Sequence, residues 1–156
     1  MRLIKEFKEF KSMKKIVYID MDDTICHYSI KRSKNLLSDP SNQFPQSVPG
    51  FFLDLDPIYG AIESIELLKE KYDVWILTRP SVKNLHCYTE KATWIKKHLG
   101  EDMVAKLILS PNKSLLKGSY LVDDTTAHGN SEFEGELIQF GTDKFNSWKD
   151  VTNYLL

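Results

Sequence analysis

Three aspartates, Asp20, Asp22 and Asp23, follow directly on an apolar run in the stretch IVYIDMDDTIC. Carboxylates crowded at the end of a buried segment repel one another and lose hydration, so something must hold them, and a metal ion is the first candidate. A second acidic pair, Asp123 and Asp124, ends the run LVDD, and between the two lie Thr78 at the end of VWILT and Lys113 in an Asn-Lys pair. Each piece alone is ambiguous. A DxD can be a solvated turn, Thr78 a strand-end hydroxyl, Lys113 a surface amine, and the Asp pair an N-cap for a following helix. In the order DxDxT, Thr, Lys, DD, with every piece at or just beyond the end of an apolar run, they read as one functional rim.

The elements that must position this rim alternate along the chain. Ile16 to Ile19 reads as a strand, and Ile58 to Glu70 repeats apolar residues at Ile58, Ala61, Ile62, Ile65 and Leu68 with a helical period. Val74 to Thr78 is a second strand, closed by Arg79-Pro80, and Cys87 to Leu99 a helix that Gly100 ends. Lys106 to Leu109, Tyr120 to Val122 and Glu136 to Phe140 read as three more strands. A last helix from Ser147 packs Trp148, Val151 and Tyr154. This rhythm predicts a parallel α/β sheet with helices on both faces, and such sheets bind ligands beyond the carboxyl ends of their strands. Residues 27 to 50, HYSIKRSKNLLSDPSNQFPQSVPG, break the rhythm with three prolines and no sustained period, and are expected to be a small irregular lid. Residues 1 to 14 carry an apolar stripe at Leu3, Ile4, Phe7 and Phe10, which predicts a helical or frayed leader. The whole chain, 1 to 156, is read as one domain.

Composition narrows the partners. The chain is 42% apolar, enough for one core, and its 21 basic and 22 acidic residues give a net charge of -1. That balance leaves no electrostatic footprint of a stable nucleic-acid partner, and a small ligand is the better expectation. Cys26 and Cys87 show no metal-type spacing and suit a reducing compartment, and no apolar run is long enough for a membrane helix. A cytoplasmic protein is expected. Oligomeric state is not legible, and a homodimer stays open.

The stretches DMDDT, ILT, NK and VDD resemble the four motifs of the haloacid dehalogenase superfamily of phosphotransferases. Within it, FFLDLDPIYGAIESI, DVWILTRP, EKATWIKKHLG and LVDD are similar to the 5'(3')-deoxyribonucleotidases of cytosolic type C. The resemblance implies a Rossmann-like sheet of order 5-4-1-2-3 with a cap inserted after strand one. It also implies a Mg²⁺-dependent phosphomonoesterase for nucleoside monophosphates. Asp20 would be the nucleophile, forming an aspartyl phosphate, and Asp22 the acid for the departing ribose oxygen and then the base for water. The metal would take the Asp20 carboxylate, the Asp22 carbonyl and Asp124, with Asp123 a ligand or an orienter. Thr78 and Lys113 would hold the phosphoryl oxygens.

Two departures from the family pattern stand out. The insertion is shorter than the usual helical cap, and Arg79 stands where the family has a small residue. Arg79 is expected to grip the phosphate, with Asp54 or Asp56 as its competing partners. Tyr28, Phe44, Phe51 and Phe52 are candidates to stack a nucleobase, and Asp23 is expected to be a turn residue. Three rivals are weighed. A receiver domain places its acidic pair on the first strand and its Lys last, which this order contradicts. A phosphatase of phosphoserine, of another small phosphomonoester or of nucleic-acid ends would share the core. A non-catalytic nucleotide sensor tends to lose the nucleophile or acid, and both are present here.

Overall fold

The computed structural model describes residues 13–156. Most of the expected leader, residues 1 to 12, lies outside them. Five short strands form the sheet: β1 (Ile16–Ile19), β2 (Asp73–Thr78), β3 (Leu107–Leu109), β4 (Tyr120–Asp123) and β5 (Glu136–Gln139). All pair in parallel, in the order β3-β2-β1-β4-β5, which is the expected order read from the other edge. Val17 pairs with Val74 and Tyr120, so the acid-bearing end of β1 sits centrally, between the ends of β2 and β4.

Alternation along the strands separates two apolar layers. Val17, Ile19, Val74, Ile76, Val122 and Ile138 face the larger core, which is filled by α2 (Ala61–Lys71), α3 (Cys87–Leu99) and α5 (Trp148–Leu155). Tyr18, Leu77 and Leu121 face the other side, closed by Leu116 and Phe133, which follow the 3-10 turns Lys113–Leu115 and Asn130–Glu132. The helices form for local reasons. In α2, Ala61, Ser64, Ile65 and Leu68 make one buried stripe, and Lys69 and Lys71 sit at its negative C-terminal end. Gly100, at φ 91°, ends α3 before the single turn α4 (Glu101–Val104). Ser147 and Asp150 form a capping box at the start of α5.

The segment expected to be an irregular lid contains an 11-residue helix, α1 (Tyr28–Ser38), followed by a 3-10 turn at Pro45–Ser47. This corrects the sequence reading. No residue of α1 is fully buried, so it has no apolar stripe for periodicity to reveal. Its start is fixed from outside: Asp23 accepts hydrogen bonds from the Ser29 amide, at 2.8 Å, and the Ser29 hydroxyl. Asp23 takes the left-handed conformation, φ 57°, that lets its carboxylate reach there, so it is a turn residue with a structural task.

Two indoles tie loops to this frame. Trp148 donates to the Thr24 carbonyl at 2.8 Å and Trp94 to the Leu55 carbonyl at 2.7 Å, both from full burial. Truncating either to Ala would cost about 3–5 kcal/mol as a cavity and would also free the loop it holds.

Candidate active site

The rim read from the sequence converges in space. Asp20 leaves β1 and Asp123 ends β4, both nearly fully buried, and the Lys113 ammonium lies between them. It donates to Asp20 Oδ1 at 2.6 Å and to Asp123 Oδ2. Burial opposes the lysine's charge, but the two carboxylates outweigh it and raise its pKa. Asp123 spends its other oxygen on the Thr125 amide, at 3.0 Å. Asp124 makes no side-chain hydrogen bond among the described residues, and burial, then Asp20 and Asp123, push its pKa up to about 7.

One lysine therefore does not neutralise this cluster. Oxygens of Asp20, Asp123 and Asp124 lie within 4.8 Å of one another, an all-oxygen donor set that fits a hard divalent cation. The Asp124 carboxylate has no hydrogen-bond partner among the described residues, whereas both Asp123 oxygens are engaged, by Lys113 and by the Thr125 amide.

A cavity of about 360 Å³ opens over the cluster. Its lining includes the acids Asp20, Asp22, Asp23, Asp123 and Asp124, the bases Lys113, Arg79, Lys83 and His128, and Tyr28 and Gln46 of the lid with Phe52 just beyond it. Of the four candidate aromatics, Tyr28 and Phe52 reach it, stacked on each other at 6.1 Å between centroids. Phe51 turns into the core, with the Lys31 ammonium over its ring. Phe44 does not line the cavity and instead carries Lys83 at 4.1 Å from its ring centre. Gln46, which sequence reasoning did not single out, has a buried side-chain oxygen without a hydrogen-bond partner among the described residues.

Thr78 is fully buried behind the wall rather than on it, and its hydroxyl accepts a hydrogen bond from Lys91 at 2.8 Å. Arg79 does reach the cavity. Its guanidinium donates to His128 Nε2 at 3.0 Å and has no carboxylate partner among the described residues. Of the acids that could have competed for it, Asp54 is taken by Lys31. Partial burial, then the Arg79 and Lys113 charges, depress the His128 pKa, which keeps the imidazole neutral and able to accept. On the expectation that Arg79 grips a substrate phosphate, an Arg79→Ser variant should raise KM with little change in kcat, the pattern of a contact made in ground and transition states alike. The loss of a charged hydrogen bond is about 1.5–3 kcal/mol, or roughly tenfold to a hundredfold in KM. An unchanged KM with a lowered melting temperature would make Arg79 a structural residue.

Sequence reasoning also passed over His128 and Lys83 at the cavity, and Glu90 and Lys91, buried side by side on α3. Glu90 accepts from the Gly50 and Phe52 amides and from Asn84, pinning the returning limb of the lid. The Lys91 ammonium donates to Asp22 Oδ2 as well as to Thr78. Their signal was present in the sequence. Both fall at helical spacing among Cys87, Trp94 and Ile95, and so place charges on the apolar face, where unpaired charges are not tolerated.

Comparison with known proteins agrees with this fold. The Bacillus subtilis HAD hydrolase YfnB, solved bound to magnesium, superimposes with a TM-score of 0.62 at 11% identity, over 92% of this chain and 99% of that one. A haloacid dehalogenase-like hydrolase from Xanthomonas campestris does so with a TM-score of 0.51 at 10% identity, over 81% and 82%. At such identities these likenesses establish the fold. In sequence, a Vibrio phage KVP40 protein provisionally named a 5'(3')-deoxyribonucleotidase is 38% identical over 93% of this chain and 86% of its own length. The human 5'(3')-deoxyribonucleotidase of cytosolic type is 41% identical over 54% of this chain and 43% of that protein. The family model for the 5' nucleotidase, deoxy (pyrimidine), cytosolic type C protein matches residues 41–153, and the chain belongs to that family.

Proposed function

We propose that this protein is a Mg²⁺-dependent phosphomonoesterase, a 5'(3')-nucleotidase that dephosphorylates (deoxy)ribonucleoside monophosphates through an aspartyl phosphate on Asp20. The observation that carries the reading is the Asp20–Lys113–Asp123 bridge beside Asp124, in a cavity that the stacked Tyr28–Phe52 pair also lines. The names of the sequence relatives support the substrate class.

The uncatalysed hydrolysis of a phosphate monoester is among the slowest reactions known, so positioning and charge must do most of the work. Lys113 holds Asp20 in place and meets the phosphoryl oxygens, and Arg79, which lines the same cavity, grips the same group. The Asp20 carboxylate attacks phosphorus while Asp22 gives a proton to the departing ribose oxygen. Asp22 then takes a proton from the water that hydrolyses the acyl phosphate. The Asp20 carboxylate, the Asp22 carbonyl and Asp124 would hold the cation, which when bound neutralises charge on the phosphoryl group. Tyr28, backed by Phe52, offers the base an aromatic surface, and Gln46 a hydrogen-bond acceptor.

The rest of the reading is one domain with a small cap at residues 27 to 50, acting on a free nucleotide. No helix among the described residues is long and apolar enough to cross a membrane. The two free, buried thiols Cys26 and Cys87 support a place in the reducing cytoplasm.

Phosphate release from a panel of nucleoside monophosphates and sugar phosphates with Mg²⁺ tests the proposal. Nucleotides should exceed sugar phosphates by at least about tenfold in kcat/KM, as differential binding of the base requires. A flat panel would remove the nucleotidase assignment, and no release at all would remove the enzyme.

A further inference from the structure

Lys91 is fully buried, and all three of its N–H groups are committed. They donate to Asp22 Oδ2, Thr78 Oγ1 and the Arg79 carbonyl, each at 2.8 Å, while the face of Phe52 closes over the ammonium at 5.0 Å from its centre. Two of these partners lie where β2 ends, Thr78 as its last residue and Arg79 just after it, and that strand is paired in register with β1 inside the sheet. The third, Asp22, belongs to the loop after β1. The amine thus spans from a rigid element to a carboxylate on a less regular one.

That carboxylate does not rest there unaided. Asp22 Oδ1 is buried and has no hydrogen-bond partner among the described residues, so its position is unfavourable for the aspartate by itself. Among the described residues Lys91 is its one ion-pair partner. The same bond explains why Thr78 sits behind the cavity wall: its oxygen is a post for the amine.

We propose that Lys91 is a positioning residue, which uses Thr78 and the Arg79 carbonyl as fixed posts to hold the Asp22 carboxylate where it meets the leaving oxygen. The inference rests on the phosphomonoesterase reading above. In the step concerned, a bond forms between an Asp20 oxygen and phosphorus as the bond from phosphorus to the ribose oxygen breaks. The ribose oxygen keeps that electron pair and takes the proton from Asp22. Lys91 touches neither phosphorus nor the leaving oxygen, and it keeps its own protons throughout.

A misplaced acid matters only when the leaving group needs a proton. A sugar alkoxide does, whereas a nitrophenolate departs without one. The test is kcat/KM, which reports steps up to phosphoryl transfer, for Lys91→Met on a deoxyribonucleoside monophosphate and on p-nitrophenyl phosphate. A loss of about a hundredfold or more is expected on the nucleotide and of less than about tenfold on the aryl ester, the range of general-acid contributions. In an Asp22→Asn background the same substitution should change nucleotide turnover by less than about threefold, because the acid to be positioned is gone. Equal losses on both substrates, or a full additional loss in Asp22→Asn, would overturn the proposal. Should Lys91→Met fail to fold, the isosteric Thr78→Val removes one post and should show the same selectivity at roughly tenfold on the nucleotide. Equal losses there would instead make Thr78 a phosphate contact and Lys91 a structural tie. A parent that hydrolyses other alkyl phosphates but no nucleotide would overturn the substrate assignment alone, and the comparison then runs on that alkyl ester.

Discussion

Asp20→Asn should abolish turnover, by at least about a thousandfold, while leaving the fold intact. An amide cannot form the acyl phosphate, and losing the nucleophile costs orders of magnitude in kcat. The fold survives because Asp20 is one of three acids crowded around one lysine. Its charge contributes to the raised pKa of both Asp123 and Asp124, after burial itself. Losing it relieves that repulsion, and Lys113 keeps its bond to Asp123. The melting temperature of the metal-free variant should accordingly stay within a few degrees of the parent. Residual turnover within tenfold of the parent, with deamidation excluded by mass, would remove Asp20 as the nucleophile.

Chelation should have an effect of similar size, and Mg²⁺ should reverse it. Ca²⁺ should bind but inhibit, because its looser and higher coordination misplaces the phosphate. Stability provides a readout independent of activity. A cation at a hundred times its Kd adds about 2.7 kcal/mol to the folded state. For a chain of this size that is a rise of about 5–10 °C in melting temperature. Asp124→Asn should lose most of this rise, because Asp124 offers the free carboxylate of the cluster, whereas Asp123→Asn should act mainly by loosening Lys113. Full activity in excess chelator would take the metal out of the mechanism.

The parts of this site legible in the sequence share one property: each sits at or just beyond the end of a strand whose composition announces it. Asp20, Thr78 and Asp123 are each the last residue of an apolar run or its immediate successor, and a parallel sheet brings such ends to one edge whatever their separation in the chain. Glu90 and Lys91 lie mid-helix, where a charge ordinarily faces water. Reading them required taking the helical spacing from Cys87 to Trp94 and Ile95 as strictly for charges as for apolar residues. Helix α1 escaped for a different reason, since its half-buried face, Tyr28, Lys31, Arg32, Asn35 and Leu36, is largely polar and leaves no apolar period.

From the sequence alone came the five strands, the three core helices, the sheet order through family resemblance, and the roster of acids, amine and hydroxyl at the rim. These depend on local composition and on the parallel topology it implies. Only the tertiary structure decided which groups touch. It put Thr78 behind the wall and Arg79 on it, seated Tyr28 and Phe52 at the cavity while turning Phe51 into the core, and left Asp124 free where Asp123 is bound. Those outcomes depend on side-chain direction and on which partner lies within about 3 Å, the reach of a hydrogen bond. That distance is set by the packing of the whole chain, which no single stretch of it encodes.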